Sequence, residues 1–306
     1  MRTVSTPMPR REFLRAAAAA GALAALPQFS RAQAPPPKRP LVVFSKAFQH
    51  LNYADTAALV AEIGYDGIEC PVRKGGQVLP ERVEEDLPKL VDALKQSGKT
   101  IEIATTDIKE ASPLNEKVLR TAAKLGIRRY RLAPWQYDLA KPLPPQLAEV
   151  KARLQDLAAL NQALGLCAGF QNHSGAAYIG APIWDIHELI QALNPAAIGI
   201  FFDIGHATVE GGYAWGIHAK LMEARFQAVY VKDFTWEKTA KGWTAQWCPV
   251  GKGMINQAFA ARLAKSAFAG PISHHIEYEI GRGDAMAQAI RADFAGLKRW
   301  LTGQPA

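Results

Sequence analysis

Cysteine is scarce: three residues in 306, at positions 70, 167 and 248. The number is odd and the spacing wide, so the chain is no disulfide scaffold and carries no zinc-type Cys spacing; one pair could bridge in an oxidising compartment. No apolar run reaches the roughly 20 residues that span a bilayer. Clusters of Lys and Arg with interleaved aromatics are also missing, which argues against nucleic acid as a partner. The turn after the first apolar run, Ser45-Lys-Ala-Phe-Gln-His50, lacks the glycines of a phosphate-binding loop. That absence speaks against a doubly wound dinucleotide-binding sheet.

What the chain does have begins at its N-terminus. Arg10 and Arg11 precede an Ala-rich run from Ala16 to Leu26, and Ala32-Gln33-Ala34 has the small-x-small form of a cleavage site. Residues 1–34 resemble a twin-arginine export signal, followed by a Pro-rich leader over 35–40 and a domain over 41–302. The expected location is the bacterial periplasm or the medium, with the twin-arginine translocon as a partner during export. The formal charge of +8 overstates the mature protein. Five Arg and one Glu lie in the signal, so four of those charges leave with it.

From Leu41 onward, short apolar runs alternate with helical patterns. Strand-like runs start at Leu41, Asp66, Thr100, Arg129, Leu166, Ile198, Ala228 and Pro271. Between them, apolar positions recur at helical spacing, as at Val83, Leu87, Leu90, Val91 and Leu94, and several patterns stop at glycine (Gly64, Gly98, Gly126, Gly165). Asp55 is expected to cap the first helix. A long loop holding Trp236, Trp243 and Trp247 is expected between the last two strands. Eight strands alternating with eight helices predict a (β/α)8 TIM barrel, whose ligands sit at the carboxyl ends of the strands.

Those ends are polar. The first four strands present Lys46, Glu69, Thr106 and Arg131; the fifth and sixth present Gln171, His173, Asp203 and His206; the last two present Tyr230, Lys232, His275 and Glu277. Side chains two apart on a strand share a face, which groups Gln171 with His173, Tyr230 with Lys232, and His275 with Glu277. Asp203, Glu277, Gln171 and His173 form a candidate donor set for a divalent ion such as Mn²⁺, Mg²⁺ or Zn²⁺. Lys46, Arg131 and Lys232 suit a developing enediolate or another anion. Glu69, Tyr230, His275 and Trp236 are expected to line the substrate site, the indole against the apolar face of a sugar.

The segments Gly64-Tyr-Asp-Gly-Ile-Glu69, Gln171-Asn-His173, Phe202-Asp-Ile-Gly-His206, Tyr230-Val-Lys-Asp233 and Ile276-Glu-Tyr278 carry a family likeness. The chain resembles the sugar phosphate isomerase/epimerase superfamily of xylose isomerase-like barrels, from Leu41 to the last helix. The resemblance implies a small-molecule carbohydrate substrate and proton transfer beside its carbonyl. It also implies a metal held by Glu, Asp, His and Glu on strands five to eight, the two Glu residues moving the protons. Asp203 and Glu277 match that pattern, and His206 matches a substrate-touching residue. Gln171 stands where the family has Glu, and Tyr230 where it has His. The reading that follows is an exported isomerase or epimerase with Glu277, Lys232 and His206 as catalytic candidates, metal-assisted or not. A metal-free sugar lyase and a non-catalytic carbohydrate-binding barrel are the alternatives.

Overall fold

The strand signal from Ile198 to Asp203, apolar without a helical period, is physical: every residue of it is buried. A computed structural model describes residues 38–240 and 242–304. The proposed export signal and the first half of the leader lie outside the described residues. Eight parallel strands close into a barrel: β1 (Leu41–Phe44), β2 (Gly67–Val72), β3 (Thr100–Thr106), β4 (Arg129–Arg131), β5 (Cys167–Gln171), β6 (Ile198–Asp203), β7 (Phe226–Val231) and β10 (Ile272–His274). Each pairs with its neighbour in sequence, and β10 pairs with both β7 and β1, which leaves no free edge.

Period-two alternation separates two layers. One set of strand residues, including Val43, Ile68, Phe170, Phe202 and Val229, packs outward in the main core against the helices. The other set turns inward, where Ile103, Phe201, Ala228 and Tyr230 form a small separate cluster. Gly169 belongs to that inner set: a Cβ there would sit 2.1 Å from the Phe201 ring, so the bare backbone makes room for the aromatic. Inside the barrel, bulk on one strand requires its absence on the next.

The helices are α1 (Tyr53–Ile63), α2 (Val83–Gln96), α3 (Pro113–Lys124), α4 (Leu143–Leu164), α5 (Ile183–Ile190), α6 (Ile204–Gly211), α7 (Trp215–Met222), α8 (Gln257–Lys265) and α9 (Gly283–Thr302). Ser112 caps α3 and Pro113 occupies its first turn, while Gly165 closes α4 in the left-handed region.

Three expectations need correction. Asp55 does not cap α1; Asn52 does, accepting from the Asp55 amide, because the chain enters the helix three residues earlier. A helix that the pattern missed, α6, starts directly on Asp203, whose side chain accepts from the His206 amide. The Trp-bearing stretch is no loop: β8 (Asp233–Thr239) and β9 (Gly242–Cys248) pair as an antiparallel hairpin. Its residues alternate as a strand should, but the surrounding tryptophans and threonines mimic a rim loop. The question of a disulfide, which the sequence left open, is answered separately: Cys70, Cys167 and Cys248 are all free thiols, the first two buried on different strands.

Candidate active site

Three tiers of polar groups rise along the inside of the barrel. The lowest centres on Glu69 of β2, wholly buried. Its carboxylate accepts from Tyr230 Oη (2.9 Å), Ser273 Oγ (2.6 Å), His275 Nε2 (2.9 Å) and the Thr105 hydroxyl. Burial pushes this acid up, but His275, Arg131 and the Ser273 hydroxyl outweigh it and hold it down to about 2. Tyr230 goes the other way. Burial and the Glu69 charge raise its phenol well above the ordinary value, so it stays protonated and donates.

The middle tier is a chain of alternating donors and acceptors. Arg131 donates to Gln171 Oε1 (2.7 Å), and Gln171 Nε2 donates to Asp203 Oδ2 (2.8 Å). Lys232 Nζ lies 3.3 Å from the same Asp203 oxygen and 3.8 Å from Glu277 Oε1; Lys46 Nζ donates to Glu277 Oε2 at 2.8 Å. The position of Gln171 explains its identity. A carboxylate there would face the Asp203 carboxylate with nothing to donate; the amide offers oxygen to Arg131 and N–H to Asp203. Asn172 clamps the backbone beside it, bonding both the N–H and the C=O of Asp203. Gly205 brings α6 against Lys232, since a Cβ there would lie 2.7 Å from the Lys232 carbonyl.

The upper tier holds the rings. His206 Nδ1 lies 2.6 Å from Ser174 Oγ, and its buried Nε2 has no hydrogen-bond partner. His206 faces His173, with ring centroids 4.1 Å apart, and meets the Trp247 ring edge-on. Lys232 Nζ sits 4.6 Å above the Trp247 centroid. Burial, then the Lys232 charge, lowers both His206 and His173, so each ring is neutral at pH 7.

These tiers open on a cleft of about 430 Å³ lined by Lys46, Arg131, Gln171, His173, His206, Lys232 and Glu277, as the sequence expected, together with Phe44, Arg73, Ser174 and Trp247. Glu69, Tyr230 and His275, expected to meet substrate, lie beneath it instead, buried in the hydrogen-bonded floor. Trp236 is on the hairpin's more exposed part, against Phe234, and does not line the cleft; Trp247 does. Arg73 was missed. It falls two and four residues beyond Pro71 and Glu69, on the inward period, and extending the second strand to Val72 reveals it. A larger hollow of about 610 Å³ opens at the amino ends of β4 and β7, where Arg262 is paired with Glu223. It lacks any gathering of proton-transfer groups.

The metal expectation fails on the donors. Both Asp203 oxygens are engaged, one by the His206 amide and the other by Gln171 and Lys232. Glu277 is held by two ammonium groups, the Gln171 oxygen faces a guanidinium, and His173 Nδ1 donates to the Ser174 carbonyl. Tyr230 keeps its proton. Among the described residues no group of three or more His, Cys, Asp or Glu is arranged to hold a metal ion. Lys232 stands between the two acids, so their charge is already met.

Buried neutral histidines make the fold acid-sensitive. In the unfolded chain His206 and His173 take up protons below pH about 6.5, while the folded rings resist. Stability is therefore expected to fall as the pH drops below that value, by up to about 1.4 kcal/mol per pH unit for each ring that stays neutral. Urea midpoints at pH 7.5 and 5.5 measure this. Equal midpoints would show that the rings charge freely in the fold.

A family model described as xylose isomerase-like TIM barrel matches residues 57–300, and one for the twin-arginine translocation signal matches residues 7–27. The latter marks the chain for export across the membrane by the twin-arginine translocase. No helix among the described residues is long and apolar enough to cross a membrane. No curated protein matches. Among solved structures, 3-keto-D-glucoside 4-epimerase YcjR from E. coli is 15% identical with a TM-score of 0.66, covering 85% of this chain and 99% of its own. D-psicose 3-epimerase from Clostridium cellulolyticum H10 is 11% identical, with a TM-score of 0.62 and coverage of 86% and 99%. A xylose isomerase-like TIM barrel protein from Mycobacterium smegmatis, in complex with magnesium, is 14% identical, with a TM-score of 0.61 and coverage of 86% and 97%. At these identities the likeness is one of fold.

Proposed function

Because the chain belongs to the xylose isomerase-like TIM barrel family, we propose that it is an exported carbohydrate-modifying enzyme that moves a proton at the carbon beside a sugar carbonyl, an isomerase or epimerase in type. One observation carries this reading: Glu277 lines the cleft with Lys232 on one side and Lys46 on the other. A base flanked by two cations is what removal of a carbon-bound proton requires. The proton needs an acceptor, and the enediolate left behind needs positive charge at its oxygens.

Burial alone would raise Glu277, but Lys232, His275 and Lys46 bring it down to about 2, so free Glu277 is a weak base. When a carbonyl and a neighbouring hydroxyl oxygen take the N–H groups of Lys232 and Lys46, the carboxylate loses its Lys46 hydrogen bond and part of the Lys232 attraction, and its basicity rises. It then takes the C–H proton and becomes a carboxylic acid, and the electron pair moves onto the carbonyl oxygen beside Lys232. Return of the proton from Glu277 to the adjacent carbon, with the hydroxyl proton passing from its oxygen to the former carbonyl oxygen, gives the isomer. Delivery of a different proton to the opposite face gives the epimer; in this reading His206, whose Nε2 is unpartnered, relays that proton from water while Glu277 releases its own to solvent, so both groups reset. Trp247 lines the cleft beside Lys232 and His206, an apolar wall next to the enediolate.

The test is solvent deuterium entering a panel of keto- and aldo-sugars. Glu277→Gln is expected to lower exchange by about 10²- to 10⁴-fold without loss of fold, and chelators to leave wild-type exchange unchanged. Sugar binding with no exchange in the wild type would instead mark a binding barrel.

A further inference from the structure

Every acid in the barrel interior is committed. Glu69 is saturated by its four donors, and Asp203 and Glu277 hold the lysines. Two guanidinium groups are left over. Arg73 and Arg131 both line the cleft and both face the Phe44 ring, with Cζ 5.7 and 5.2 Å from its centroid. Neither forms an ion pair with any described residue within 4.0 Å. The side-chain hydrogen bond of Arg131 goes to a neutral amide, and its Nε is buried without a partner. Burial, and then the charge of Arg131, lowers Arg73 from its ordinary value, against the more distant pull of Asp107, Glu69 and Glu277. The nearby Asp107 carboxylate accepts instead from the Lys74 amide.

Two like charges held together, partly out of water and with no acid in direct contact, favour entry of an anion between them, since Glu69, Glu277 and Asp107 act on them only from a distance. The geometry points to Arg73 and Arg131 as a clamp for a carboxylate on the sugar, so that the substrate class is a sugar acid of the uronate or aldonate kind rather than a neutral sugar. This rests on the reading above that the cleft takes a carbohydrate. Guanidinium forks match a planar carboxylate through paired N–H bonds. Phosphate groups favour free backbone amides at a helix start. The helix that starts at this cleft, α6, is already capped by Asp203. The aromatic face under the two guanidiniums holds them in place without neutralising them.

Calorimetric titration decides it, using D-glucuronate and D-galacturonate, the matching neutral hexoses and their 6-phosphates. Titrations are run on the full mature protein and on Glu277→Gln. Binding of at least one uronate is expected to be tighter than that of its hexose by roughly tenfold or more, and to weaken with salt. Arg73→Met should remove that preference and Arg73→Lys restore part of it, with melting temperatures unchanged. Equal affinity for uronate and hexose, a preference that survives Arg73→Met, or no measurable uronate binding overturns the clamp. Tighter binding of the 6-phosphate than of the uronate overturns the carboxylate. Because the readout is binding, a protein that prefers uronates yet shows no deuterium exchange would keep this inference and lose the proposed function.

Discussion

Lys232→Met is expected to destabilise the barrel by about 3–5 kcal/mol at pH 7.5, the usual cost of leaving a buried charge without its partner. The side chain is 4% exposed, and its ammonium stands between Asp203 and Glu277. Methionine fills the same volume, so the loss is of charge rather than of packing. The two acids then face each other, and one of them takes up a proton more readily. The penalty should therefore shrink as the pH falls towards 5, against the acid trend of the wild type. Urea unfolding at both pH values measures it. A change under about 0.5 kcal/mol at pH 7.5, the size of an ordinary surface substitution, would show that the ammonium does not neutralise this pair. Deuterium exchange should vanish as well, since the enediolate loses its cation.

The second large effect is at the floor. Glu69→Ala removes the acceptor shared by Tyr230, Ser273, Thr105 and His275, all buried. Stranded donors and a lost interior anion are expected to cost about 3–5 kcal/mol, with Glu69→Gln milder because it keeps an acceptor oxygen. The pH dependence follows from the depressed acid. Its folded value is about 2 against an ordinary 4.5. The contribution is present above pH about 4.5 and is lost as the pH falls towards 2, a difference worth about 3 kcal/mol. In Glu69→Gln that portion of the acid transition should be missing. If the variant and the wild type lose stability in parallel over this range, Glu69 is not the group responsible.

Much of the barrel was legible because its signals are local. Buried runs with glycine stops follow from chain stiffness and apolar spacing, and they located eight parallel strands to within a few residues. The misses are also local in cause. α6 begins on the last residue of β6, leaving no polar break to mark it, and the β8–β9 hairpin carries aromatics that read equally well as a loop.

The site divides differently. Composition and order determined the export signal, the barrel and the acids and cations at its strand ends, because those depend on residue type and period alone. Depth along the barrel axis, and which acid meets which cation, came only from closure. Tyr230 and His275, expected at the substrate site, bond Glu69 below the cleft instead. Lys232 lies between Asp203 and Glu277 because three separate strands converge there, and Arg73 and Arg131 are brought together at the Phe44 ring. Partnership across the barrel depends on shear and register, which are properties of the closed sheet and leave no trace in any one strand.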